Sequence, residues 1–152
     1  MQPLLWPRCM SRVKLANCCI FPAKSFLLKP IRFVPAIGWF IFSLILLCLP
    51  GSTIPKYPWL AVIYADKWIH IFLFGMLYYL FARPFFSSKL KKTQQKKWFL
   101  LILVGGIAYG IIMEFVQKYW IPNRSFEVWD IVADSCGCLL GYVYCVGRLK
   151  KE

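Results

Sequence analysis

Four apolar blocks separated by short polar segments organise the chain. They run from Phe33 to Leu49, Asp66 to Ala82, Trp98 to Gln117 and Val128 to Gly147. Each is near the roughly 20 residues that a helix needs to cross a bilayer's hydrocarbon core. The segments between them carry breakers. Pro50 to Ala65 contains the turn signals PGS and KYP, and Arg83 to Lys97 reads RPFFSSKLKKTQQKK. In WIPNRSFE, Pro122, Asn123 and Ser125 end one helix and can cap the next. The pattern predicts an all-α integral membrane bundle of four transmembrane helices over residues 33–147, with a basic tail at 1–32 and a short tail at 148–152. The first block reads as an uncleaved span. Its basic lead is long, its apolar run exceeds the usual 7–15 or so residues of a signal peptide, and no A-x-A site follows. Met1 and Met10 both stand as candidate starts.

Composition strengthens this picture. The chain is 60% hydrophobic and 18% aromatic, whereas soluble domains are roughly 45–50% apolar. Lys and Arg total 19 against 6 acidic residues, a net charge of +13. That charge lies between apolar blocks, which argues for membrane orientation and against nucleic-acid binding. Fifteen basic residues fall in the two tails and the Arg83–Lys97 loop, and four (Lys56, Lys67, Lys118 and Arg124) on the opposite side. The positive-inside bias therefore predicts that both termini and the middle loop are cytoplasmic. Tyr57, Trp59 and Tyr64 suit the opposite interface. The seven cysteines are odd in number and form no CxxC, so they read as reduced, small hydrophobes, with neither a disulfide framework nor a zinc site.

The acidic residues sort the other way. Asp66, Glu114, Glu127, Asp130 and Asp134 all fall at the non-cytoplasmic ends, and only Glu152 lies inside. Helix spacing gives Glu114 and Gln117 one face, Asp130 and Asp134 another, and His70 the face of Asp66, which could orient it. Ionisable groups within membrane spans are costly and mark functional sites or pairs. The candidate cluster is Asp66, Lys67, His70, Glu114, Gln117, Arg124, Asp130 and Asp134. Glu114 sits at the partially negative end of its helix, so it calls for a cation, a proton or a metal, with Lys67 and Arg124 the available cations. Glu127 reads as a solvated cap without a role. Gly106, Gly110, Ala133, Gly137 and Gly141 permit close helix approach. A divalent cation could balance the excess of carboxylates, although no established metal or cofactor motif is present. Ser125 and Ser135 lack a suitably spaced base, so no catalytic residue is assigned.

These residues resemble the VanZ-like family of small bacterial membrane proteins. The resemblance rests on DKWIH (Asp66, Lys67, His70) followed by Phe74 and Leu77, then on Tyr109, Gly110, Glu114 and Gln117. It continues through Pro122, Arg124, Ser125, Phe126, Asp130, Ala133, Gly137 and Gly141. It implies a multi-pass protein of the bacterial cytoplasmic membrane with no defined reaction, and its name comes from a glycopeptide-antibiotic resistance cluster. The family usually carries Asn where this chain has Asp134. On this basis the expected function is an envelope-associated, carboxylate-rich pocket at the extracytoplasmic face. It would bind a cell-envelope precursor, a lipid headgroup or a glycopeptide-related ligand. The competing expectation is a membrane-embedded hydrolase or transferase using Glu114 or Asp130 as acid/base. A small transporter would want polar residues along a whole path, and the cytoplasmic halves of the first three blocks are nearly all apolar.

Overall fold

The computed structural model describes residues 30–50, 52 and 64–151. The tail up to residue 29, the loop residues Lys56, Tyr57 and Trp59, and Cys9, Cys18 and Cys19 lie outside them. A 3-10 turn at Pro30–Phe33 leads into α1, Val34–Leu47. Three longer helices follow: α2 at Ala65–Phe86, α3 at Lys92–Trp120 and α4 at Val128–Lys151. All four are long and apolar enough to cross a membrane, counting the 3-10 turn with α1. The chain is therefore a multi-pass membrane protein with an all-α fold.

The helix ends differ from the apolar blocks in an instructive way. The Arg83–Lys97 segment was expected to interrupt the helices throughout, but only Ser87 to Lys91 stays outside them. Pro84 lies inside α2, two residues from its end, so its missing N–H disturbs only the last turn. Helix α3 begins at Lys92 because Lys and Gln are good helix formers once clear of hydrocarbon. Gln94 Oε1 there accepts the Lys91 N–H at 3.3 Å, half of a capping box. With 29 residues, α3 is about 43 Å long, well beyond the roughly 30 Å core.

Two glutamines secure helix C-termini, whose last carbonyls have no partner within the helix. Gln95 Nε2 donates to the carbonyl of Phe85 at 2.8 Å, tying α3 to the end of α2. Gln117 Nε2 donates to the carbonyl of Leu47 at 2.9 Å, tying α3 to the end of α1.

Packing centres on α2 and α4, with α3 against both and α1 lying mainly on α2. Gly75 and Gly137 allow the central contact: a Cβ on Gly75 would stand 3.3 Å from the Gly137 carbonyl oxygen, and one on Gly137 would strike the Ile71 carbonyl. Fully buried Phe74, Tyr78, Phe99, Cys138 and Cys145 fill the interior. Ile41, Ile45, Ile112, Leu140 and Val143 face outward, as a surface solvated by lipid requires. The helices alternate in direction. Arg32, which bonds the Ser87 carbonyl, and Arg148, stacked on Phe86, mark one end of the bundle. The acidic residues mark the other.

Candidate functional site

The first turns of α2 and α4 meet beside the last turns of α3, and this junction gathers most of the described acidic side chains. Lys67 reaches from α2 to three carboxylates. Its Nζ lies 2.9 Å from Asp66 Oδ2 and 2.6 Å from Glu127 Oε2, and it also pairs with Asp130 Oδ1. Asp66 and Glu127 form a half-exposed rim, whereas the Asp130 side chain is only 7% exposed.

Deeper in the bundle, His70 Nδ1 lies 2.8 Å from Asp134 Oδ1, and both side chains are buried. An ionised carboxylate can only accept, so in that pairing Nδ1 carries the hydrogen and a neutral ring keeps its lone pair on Nε2. From the sequence, His70 could be oriented by Asp66. The two share a helix face, but Asp66 sits in the first turn at the rim, and His70, one turn deeper, meets α4 instead.

Glu114 is also placed differently from its expected pairing. Among the described residues it forms no ion pair with Lys67 or Arg124. Its Oε2 instead accepts the backbone N–H of Glu127 at 2.9 Å, immediately before α4. The physical reason is the arrangement of helix dipoles. A carboxylate disfavoured at the C-terminal end of α3 finds positive potential and an unsatisfied N–H at the start of α4. Glu114 is 1% exposed and lies within electrostatic reach of His70, Asp130 and Asp134.

The eight candidates therefore divide. Asp66, Lys67, His70, Glu114, Asp130 and Asp134 come together. Gln117 and Arg124 turn to the end of α1, where Gln117 holds the Leu47 carbonyl and Arg124 Nε reaches the Leu49 carbonyl at 3.4 Å. Glu127, given no role from the sequence, joins the cluster through both its carboxylate and its amide. The available signal was its position three residues before Asp130, which puts both on the side facing Lys67. Gly110 makes room for Asp134, since a Cβ there would stand 2.8 Å from Asp134 Oδ2.

Five carboxylates thus gather at this junction, three on Lys67, one on His70 and one on the Glu127 amide. Among the described residues no buried side-chain nitrogen or oxygen lacks a hydrogen-bond partner, so the cluster is satisfied in hydrogen bonds. Oxygens of Asp66, Glu127 and Asp130 lie within 4.8 Å of one another, a spacing that could hold an ion. Lys67 already contributes its ammonium to all three, so a divalent cation would have to displace it.

The profile of a family described as VanZ/LLP1 matches residues 20–149. An uncharacterised protein of the fission yeast Schizosaccharomyces pombe is 39% identical over 98 residues, covering 62% of this chain and 57% of the yeast protein. The chain thus spans a little over half the length of that relative. No solved structure matches significantly.

Proposed function

The chain belongs to the VanZ/LLP1 family, and from that premise we propose that its acidic end is a ligand site at the extracytoplasmic face of the membrane. The observation carrying this reading is the buried group His70, Glu114, Asp130 and Asp134, contributed by three helices of an otherwise apolar bundle. Intramembrane ionisable residues are expensive to keep and by default mark a functional site. Here, among the described residues, three carboxylates share the single ammonium of Lys67, more acid than one cation matches.

Of the three ligand classes the resemblance suggests, a lipid headgroup has the most support. A fission-yeast relative means that similarity of this kind does not require a bacterial envelope. A lipid headgroup is chemistry common to both settings, whereas a cell-envelope precursor or a glycopeptide-related ligand ties the site to a bacterial membrane and to antibiotic resistance.

The test is lipid and metal analysis of purified protein, comparing wild type with His70→Gln and Asp130→Asn at matched membrane abundance. A co-purifying molecule lost from both variants is the expected result. The same contents in all three proteins would remove the site and leave only the bundle.

The His70–Asp134 pair favours a second reading, a hydrolase or transferase. The acid/base role would then pass from Glu114 or Asp130 to His70 Nε2, with Asp134 orienting the ring. Turnover of the co-purifying molecule by wild type, but not by His70→Gln, is what this reading expects.

A further inference from the structure

Below the rim of the cluster, on the side facing lipid, a groove of about 440 Å³ runs between α2 and α4. Its floor is Gly75, Gly137 and Gly141, and its walls include Phe72, Met76, Tyr79, Leu140 and Tyr144. Ile71, at its upper end, lies one helical turn below Lys67 on the same face of α2. From Ile71 to Tyr79 the groove spans about 12 Å along the helix, beginning about 6 Å below Lys67. An apolar groove that begins one helical turn below the Lys67 cluster suits an acyl chain whose headgroup stays at that cluster.

Charge selects the headgroup. The rim presents Asp66 and Glu127, both half-exposed, and among the described residues the lysine that pairs with them, Lys67, is already shared with Asp130. An anionic headgroup would meet like charge at this rim, whereas an ammonium group would be attracted.

We propose that the α2–α4 groove seats one acyl chain of an amine-bearing phospholipid whose ammonium group meets Asp66 and Glu127. This rests on the ligand-site reading above and specifies its lipid class and point of entry. The glycines cannot be filled without disturbing helix packing, because their Cβ positions abut neighbouring atoms. Leu140 can, since it lines the groove and is 63% exposed.

The experiment is native mass spectrometry of the full chain in detergent, with phosphatidylethanolamine and phosphatidylglycerol supplied in equal amounts. Wild type should retain the ethanolamine lipid in preference. Leu140→Trp, and separately Met76→Trp, should lower its retention by about tenfold, the effect of losing contact with about two methylenes. Asp66→Asn combined with Glu127→Gln should bind the two lipids equally.

Three results would overturn the proposal: equal or preferred retention of phosphatidylglycerol by wild type, unchanged retention in both tryptophan variants, or a dimer in wild type that the tryptophans abolish. The last would make a second copy of the chain the occupant. His70→Gln and Asp130→Asn would still release their co-purifying molecule if only the groove inference failed. No such release would show that the ligand site itself had failed.

Discussion

At the scale of single residues, partner choice decides what each polar group does, and helix spacing alone left that choice open. The sequence shows that Glu114 sits at an unfavourable helix end, but not that the N-terminus of α4 lies within reach to relieve it. This gives a test. Glu114→Gln keeps an oxygen that can accept the Glu127 N–H, so it should lose only the dipole contribution, about 0.3–2 kcal/mol. Glu114→Leu leaves that N–H without its acceptor and should cost a further 1–3 kcal/mol or so. Equal losses in detergent unfolding would mean that the bond contributes nothing. Lys67 supports a second prediction. Lys67→Met strands a nearly buried Asp130 and should cost about 3–5 kcal/mol, with the double variant Lys67→Met/Asp130→Asn losing less than the sum of the two. Glu127→Gln should cost under about 1 kcal/mol, because its carboxylate is 49% exposed. Strict additivity of the first pair would remove the Lys67–Asp130 coupling.

At the scale of helices, the four spans were legible because hydrocarbon demands about 20 apolar residues in sequence, which leaves a plain mark. Their ends were not, because outside the hydrocarbon the limit is helix propensity and capping, so α3 starts at Lys92 and not at Trp98. The sequence picked out Gly106, Gly110, Gly137 and Gly141 for close approach, and a Cβ at each would meet a side chain or backbone of a neighbouring helix, whereas Gly75, the partner of Gly137, was not singled out. Gly137 and Gly105 both lie in apolar helices, yet their surroundings are opposite. A Cβ at Gly137 would meet backbone, including the Gly75 nitrogen at 3.0 Å, and neither helix can give way without the other. A Cβ at Gly105 would meet nothing within 4 Å. Gly137→Ala should therefore cost about 1–3 kcal/mol through overpacking, whereas Gly105→Ala should be neutral or gain up to about 1 kcal/mol from helix propensity. Thermal unfolding of both variants in one detergent checks this. A Gly137→Ala protein as stable as Gly105→Ala would mean that α2 and α4 do not approach at those glycines.

At the scale of the whole molecule, the charges are separated along the bundle axis, and orientation decides what the cluster can meet. Apart from Glu152, every acidic residue lies toward one end, while fifteen basic residues lie in the tails and the middle loop. The positive-inside bias acts on basic residues in short loops and has little to do with acidic ones. The carboxylates should thus be passengers in the choice of orientation, which the lysines and arginines set. A reporter fused after Lys89, in the Ser87–Lys91 connection, should read cytoplasmic, and one fused at Asn123, between α3 and α4, should read extracytoplasmic. Replacing Lys89, Lys91, Lys92, Lys96 and Lys97 by Gln should weaken the orientation and produce a mixed signal, since the middle loop then keeps only Arg83 of its six basic residues. Removing Glu127 and Asp66 should leave it unchanged. A cytoplasmic reading at Asn123 in the unmodified chain would turn the cluster to the cell interior, where an outer-leaflet lipid could not reach it. The ligand proposals would then fall, although every helix contact described above would stand.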